Sequence, residues 1–289
     1  MKSEDGFTLV ETGLAMAAST LATLLTLGLT LMVRRNIFTS NIRESQTFLQ
    51  TQYNEVRSGI NSRSGSISNA NNVCRDLGDT GGGSSNQCYA IGRLVEITND
   101  GSKGGVIRSV QLLAKYDNGD DVVAESPWPD EKASGWSNIK NPNLHLYAVY
   151  GEDNGAIART EKYLNGNTVD ATYSNYSMDN DNFSEDNRMI LIIKSPVDAS
   201  NIIAVTDKTT SQLTDVGDGI LEINKNSLRR LEKDQITGFL IGDSRGALGS
   251  KGLLCIGAGS NGATVSSSDS VGDINAGNLQ QECSNMESR

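Results

Sequence analysis

Glu11 stands at the start of a long uncharged stretch, a chemically unusual place for a carboxylate. The next charged residues are Arg34 and Arg35, which leaves 22 uncharged residues from Thr12 to Val33. That is about the length that a helix needs to cross a bilayer. A carboxylate inside a membrane helix costs roughly 2.5 to 3.5 kcal/mol on insertion scales, so it usually has a partner or a function. The alternative is that Glu11 lies at the water interface and the helix begins after it.

The four cysteines form a second set of reactive side chains. They are Cys74, Cys88, Cys255 and Cys283. An even number in an exported domain predicts disulfides, and four cysteines allow three connectivities. Sequence neighbourhood favours pairing Cys74 with Cys88 and Cys255 with Cys283. Zinc is the alternative, but no Cys-x-x-Cys spacing is present and His145 is the single histidine.

Acidic loops are the candidates for binding a cation. Three runs rich in Asp and Asn occur, at 117–121, 179–186 and 215–218. Calcium takes oxygen ligands from loops of this kind, although none of the three follows the EF-hand pattern. The calcium candidates are Asp179, Asp181 and Asp186, and the alternative is a solvated loop that binds no ion.

Two patterns suggest enzyme chemistry, and neither is complete. Gly257–Gly262 matches a dinucleotide-binding fingerprint, but a run of small and β-branched residues follows where the fingerprint requires a helix. A plain hairpin turn is the better interpretation. His145 alternates with apolar neighbours as on a strand, and the sequence supplies no nucleophile and orienting group for it. We therefore expect no catalytic activity and no cofactor.

Charge and composition limit the partners. Residues 1–57 carry five Lys or Arg and five Asp or Glu, so the whole net charge of −10 lies in residues 58–289. Phosphate backbones need clustered cations, so nucleic acid is not indicated as a partner. Aromatic residues make up only 5% and Gly is abundant, which favours a β-rich, loop-rich extracellular domain over a helical enzyme.

The elements that position these residues begin with one long helix. Apolar residues recur at spacings of three and four beyond the uncharged run, and no proline interrupts the sequence from Phe7 to Asn61. The pattern predicts a membrane half at 7–33 and an amphipathic half at 34–61. Gly28, within the membrane half, is a candidate site for a bend.

Beyond the helix, strand patterns predominate in 62–289. Cys88–Thr98 and Val106–Tyr116 predict a β-hairpin around a turn-rich connection. Further predicted strands are Leu144–Tyr150, Arg188–Lys194, Asn201–Thr206, Gln235–Ile241, Gly252–Ile256 and Ala263–Ser266. A short helix is predicted at Ser227–Asp234, and the polar segment 127–187 is interpreted as an insertion. The expected fold class is α+β, with an antiparallel sheet packed on the second half of the helix.

The N-terminal residues Gly6-Phe7-Thr8-Leu9-Val10-Glu11, followed by the apolar run, resemble the processing motif of type IV pilins and pseudopilins. The resemblance implies a leader at 1–6, cleavage after Gly6 by a prepilin peptidase, and methylation of the new N-terminus at Phe7. It makes Glu11 the fifth residue of the mature chain, an assembly residue that answers the N-terminal amine of Phe7. It also implies the pilin fold. A secretory signal peptide differs, because its positive charges come first and its apolar region precedes the cut.

This resemblance also implies a function. The chain is expected to be a structural subunit of a type IV pilus or a related secretion or DNA-uptake filament, and its size suggests a minor pilin or pseudopilin. The implied partners are the peptidase, other pilin subunits, the assembly machinery, and membrane lipid before assembly. The chain would be a single-pass membrane protein first and part of an extracellular filament later. A major pilin and a membrane-anchored extracellular binding protein or adhesin are the alternatives.

Overall fold

A computed structural model of the chain describes residues 8–58, 88–101, 104–116, 144–150, 152–153, 156–157, 159–174, 189–194, 201–206, 208–217, 220–224, 227–232, 234–243, 249–259, 262–272, 274 and 277–287. The chain forms two compact units, Met1–Asn41 and Ile42–Arg289. The first helix, α1 (Leu9–Ser58), belongs to both and has 50 residues. At 1.5 Å per residue it is about 75 Å long. The prediction of one long N-terminal helix is confirmed.

The second unit is mainly antiparallel β-structure. In chain order its strands are β1 (Cys88–Asp100), β2 (Gly104–Tyr116), β3 (Leu144–Val149), β4 (Glu152–Asp153), β5 (Ala156–Ile157), β6 (Arg159–Tyr163), β7 (Thr168–Ser174), β8 (Met189–Lys194), β9 (Asn201–Thr206), β10 (Thr214–Gly217), β11 (Ile220–Ile223), β12 (Leu228–Arg230), β13 (Ile236–Gly242), β14 (Lys251–Gly259) and β15 (Gly262–Ser268). A 3₁₀ turn (Thr210–Gln212) precedes β10, and α2 (Leu279–Glu287) follows β15.

Nine strands form the larger sheet. Its order is β10-β11-β3-β2-β1-β8-β9-β12, and β6 pairs with the first half of β2 beside β3. The β1–β2 hairpin pairs from Cys88 opposite Lys115 to Asp100 opposite Gly104, with one shift of register between Ala90 and Gly92. The predicted hairpin is therefore confirmed. One face of this sheet carries an aliphatic core that includes Leu94, Val110 and Leu191.

The smaller sheet has four strands in the order β15-β14-β13-β7. Its two faces are covered by different helices. Tyr173, Leu240 and Leu253 form one cluster with Leu279 and Cys283 of α2. On the other face, Gly252 lies against Ile42 of α1, where an added Cβ would meet the Ile42 side chain. The remaining strands, β4 and β5, pair with each other and form no ladder with another described strand.

Several strand predictions are confirmed and one helix prediction is wrong. Strands occur at 144–149, 189–194, 201–206, 236–242, 251–259 and 262–268, close to the predicted positions. The helix predicted at Ser227–Asp234 is wrong, because Leu228, Arg229 and Arg230 form β12 and pair with Thr206, Val205 and Ala204 of β9. Pairing with a neighbouring strand overrode the weak local helix preference of this short segment.

Part of the segment interpreted as an insertion belongs to the sheets. Within 127–187, β3 and β6 pair with β2 in the larger sheet, and β7 pairs with β13 in the smaller one. The turn between β6 and β7 passes from one sheet to the other. Asn165 and Gly166 adopt positive φ there, at 48° and 87°, a backbone conformation that favours Asn and Gly.

Candidate membrane and assembly segment

Thr8 and Glu11 form a reciprocal cap at the start of α1. The backbone N–H and the hydroxyl of Thr8 both donate to Oε2 of Glu11, each at 2.9 Å. The backbone N–H of Glu11 donates in return to the Thr8 hydroxyl oxygen at 3.3 Å. This is a capping box, in which two otherwise unpaired backbone donors of the first turn are satisfied by side chains. Glu11 is therefore part of the helix and defines where it begins.

The other carboxylate oxygen of Glu11 has a different environment. Within the part of the chain that the structure describes, all hydrogen bonds of this side chain end on Oε2, and Oε1 accepts none. An ionised carboxylate offers about four lone-pair sites. Glu11 can therefore keep its cap and still accept a donor from another molecule.

The run after Glu11 exposes its large apolar side chains. The Leu, Val and Met side chains from Leu9 to Val33 are 38 to 90% accessible within this chain. The helix is long and apolar enough to cross a membrane. A helix that is apolar on all sides is stable only where lipid or other protein covers it and shields it from water.

Hydroxyl groups within this run are satisfied inside the helix. Ser19, Thr20, Thr23, Thr26 and Thr30 each donate to a carbonyl three or four residues earlier, at 2.7 to 3.0 Å. A buried hydroxyl without a partner is costly, and this pattern removes that cost before any neighbour arrives. The run can therefore enter an apolar environment despite its many Thr and Ser residues.

Gly28 does not interrupt the helix. α1 continues through it, and an added Cβ would meet nothing within 4 Å. The same is true of Gly13. No close approach by another described residue of the chain explains either glycine.

In the second unit, polar side chains attach α1 to both sheets. Gln46 donates to the carbonyl of Val265 at 3.0 Å and accepts from Ser267 at 2.6 Å, both on β15. Gln52 accepts from the buried Ser109 hydroxyl of β2 at 2.6 Å. Ile42, Leu49, Tyr53 and Val56 are buried on the same stretch of α1. The part of α1 that belongs to the second unit is thus fixed by hydrogen bonds as well as by apolar packing.

An ion pair adds to this attachment near the end of α1. Arg93 of β1 lies 3.0 Å from the Glu55 carboxylate, and the Arg93 side chain is 9% exposed. Breaking a pair of this kind by removing one partner leaves the other charge poorly solvated. The pair therefore fixes the position of the last turns of α1 on the larger sheet.

One predicted disulfide is present. Cys255 of β14 is bonded to Cys283 of α2, with the Cα atoms 5.9 Å apart. Both residues are buried, and they lie in the cluster beneath α2. The bond closes a loop of 28 residues across the smaller sheet. Cys88 begins β1, but Cys74 lies outside the described residues, so their pairing stays a prediction.

Other predicted sites lie partly or wholly outside the described residues. These are the cleavage residues Gly6 and Phe7 and the calcium candidates Asp179, Asp181 and Asp186. Among the residues that are described, no group of three or more His, Cys, Asp or Glu is placed to hold a metal. Gly257–Gly262 spans the end of β14 and the start of β15, which form a hairpin with Gly259 opposite Gly262. The hairpin prediction is confirmed.

Sequence reasoning missed some of these contacts. The spacing Thr8-x-x-Glu11 before an apolar run is a sequence signature of a capping box, so this cap could have been found. Nothing comparable marks Gln46 and Gln52, because their partners Ser267 and Ser109 are distant in sequence.

Comparison of the chain with protein-family models, with curated proteins and with solved structures finds no match.

Proposed function

We propose that this chain is a structural subunit of a type IV pilus or a related secretion or DNA-uptake filament, specifically a minor pilin or pseudopilin. It is cut after Gly6 by a prepilin peptidase and assembles through α1. One observation carries the proposal. An apolar run that is exposed in the single chain begins at a capped acidic residue near the N-terminus, and the same helix continues into the core of a β-domain.

The exposed apolar run needs lipid or protein to cover it. Before assembly, lipid covers Thr12–Val33, and in a filament the helices of sister subunits replace the lipid. Charges that lose water in such a core are stabilised only when opposite charges face them. Glu11 supplies the negative charge, and the resemblance of the N-terminal motif to pilins gives the amine of Phe7 in a neighbouring subunit as a positive one.

The domain after α1 supports an extracellular location. A disulfide persists in an oxidising compartment, and Cys255 and Cys283 are paired here. In this proposal the chain is first a single-pass membrane protein and then part of an extracellular filament. Its partners are the peptidase, other pilin subunits and the assembly machinery.

The mature N-terminus provides the test. Mass spectrometry of the purified protein is expected to show a chain that begins at methylated Phe7. A Gly6→Ala variant is expected to remain as uncut precursor on a gel. A mature chain that begins elsewhere would overturn the proposal.

A membrane-anchored extracellular binding protein or adhesin is the second candidate, because one apolar helix before a disulfide-bonded domain also serves as an anchor. Mechanical shearing of cells distinguishes a pilus subunit from an anchored protein. A pilus subunit is released with filaments, whereas an anchored protein stays with the membrane. Abundance in the sheared fraction then separates a major pilin from a minor one.

A further inference from the structure

Glu11 and Arg35 are opposite charges that cannot reach each other within one chain. They are 24 residues apart on a continuous helix, which is about 36 Å at 1.5 Å per residue. Arg35 is exposed, and its guanidinium group makes no hydrogen bond or ion pair with any other described residue. Oε1 of Glu11 likewise accepts no hydrogen bond from a described residue. No described residue of the same chain therefore balances either charge once water is removed, and a second copy can supply the missing partner.

We propose that Arg35 of a second copy of this chain pairs with Glu11, so that the two copies are offset by about 36 Å along the helix axis. This inference rests on the proposed function and specifies how its subunits are arranged. Copies without an offset would bring their Glu11 carboxylates level with one another, and likewise their Arg34 and Arg35 guanidinium groups. Like charges in an apolar core repel, whereas the offset brings opposite charges level.

At this offset, the apolar run of one copy lies beside residues 36–57 of the other. The exposed side of that stretch includes Thr47 and Thr51, whose hydroxyls donate to the carbonyls of Arg43 and Thr47 at 3.0 and 2.8 Å. These donors are already satisfied, so an apolar helix can pack on them without leaving a hydroxyl unpaired. The two threonines therefore suit an apolar neighbour, whereas Arg43 and Glu44, also exposed on this stretch, must lie outside the contact.

The pairing also determines the kind of assembly. Glu11 and Arg35 lie at opposite ends of the apolar run. Each copy therefore contacts one neighbour through Arg35, the donor, and another through Glu11, the acceptor. Such a contact is heterologous, and it produces an open helical array when its rotation does not close a ring. The Phe7 amine can still contact Glu11 from another neighbour, because one carboxylate accepts several donors.

Cross-linking between copies tests the offset. A chain with Thr12→Cys and Asn36→Cys places one thiol beside Glu11 and the other beside Arg35, both at exposed positions. Treatment of sheared filaments with a short bis-maleimide is expected to give a ladder of linked subunits. The control carries Thr12→Cys and Leu24→Cys, which halves the offset to about 18 Å, and it is expected to give no ladder. Filaments that give a ladder only with the control, or with neither chain, would overturn the inference.

Charge exchange provides a second measurement. Glu11→Arg and Arg35→Glu are each expected to lower filament yield, and the two together are expected to restore yield above that of either single variant. A combined variant no better than the single ones would contradict the pairing. Failure of the proposed function itself is visible earlier, since the unaltered chain would then keep its leader or form no filaments.

Discussion

Glu11 has two separable properties, its hydrogen-bonding capacity and its charge. The first is used inside the chain, where Oε2 accepts from the backbone N–H and the hydroxyl of Thr8. The second is not balanced by any described residue of the same chain. Capping stabilises the start of α1, whereas an uncompensated charge is costly wherever water is removed, in lipid as well as in a packed core. Substitutions can distinguish the two roles.

Glu11→Gln and Glu11→Ala form a matched pair for this purpose. Glutamine can also complete a capping box, so it is expected to preserve the helix start while removing the charge. We expect both variants to lose incorporation into filaments, and only the alanine variant to lose helix content. Immunoblots of sheared filaments and circular dichroism of the detergent-solubilised chain measure the two effects. Normal incorporation of the glutamine variant would show that capping alone is required.

Ser109 tests the hydrogen bonds that attach α1 to the larger sheet. Ser109→Ala leaves Oε1 of the buried Gln52 without its donor, which is expected to lower the free energy of unfolding by about 1 to 3 kcal/mol. Replacing both partners, with Gln52→Leu and Ser109→Ala, is expected to recover most of this loss. Thr51→Ala, at an exposed helix position, is the control and is expected to change stability by less than about 0.5 kcal/mol. Urea unfolding of the solubilised chain measures all three.

At the level of elements, α1 and α2 cover opposite faces of the smaller sheet by different means. α1 uses apolar contacts together with the hydrogen bonds of Gln46 to β15. α2 is a short helix of nine residues. Isolated helices of this length are marginal in water. Its buried contacts and the Cys255–Cys283 bond therefore hold it in place.

Removal of this disulfide measures how far α2 depends on it. Cys255→Ala with Cys283→Ala is expected to lower stability by about 3.5 kcal/mol, from the chain-entropy model for a loop of this length. The thermal midpoint under non-reducing conditions measures the loss. Gln280→Ala, on the exposed side of α2, is the control and is expected to leave the midpoint nearly unchanged. An equal midpoint for the double alanine variant and the native chain would contradict this role.

For the whole molecule, the exposed apolar side chains and the buried core lie in different parts of the chain. Leu9–Val33 contains nearly all of the large apolar residues that are exposed in the described chain. Among the described residues, the apolar clusters beneath the larger sheet and beneath α2 both lie within Ile42–Arg289. The first part therefore needs lipid or sister subunits, whereas the second contains its own core.

A chain that begins at Arg34 tests this separation. It retains the second half of α1, both sheets and the disulfide, and it lacks the apolar run. We expect it to be monomeric in gel filtration without detergent and to unfold cooperatively. The full-length chain, as the control, is expected to require detergent. Aggregation of the shortened chain would show that its core is incomplete without the preceding residues.

The sequence by itself determined the features that depend on local spacing. The uncharged run from Thr12 to Val33 and the continuous helix around it follow from residue type and helical period. The β1–β2 and β14–β15 hairpins also followed, since each joins strands through a short turn-rich connection. One disulfide was found from the closeness of its cysteines in sequence.

Only the tertiary structure decided which distant segments meet. A strand pattern with a period of two shows which side chains share a face, but it does not identify the neighbouring strand. For that reason the sequence did not place β7 beside β13, β12 beside β9, or Gln52 beside Ser109. These contacts form when the chain buries its apolar faces together, and that burial depends on the whole fold rather than on any single segment.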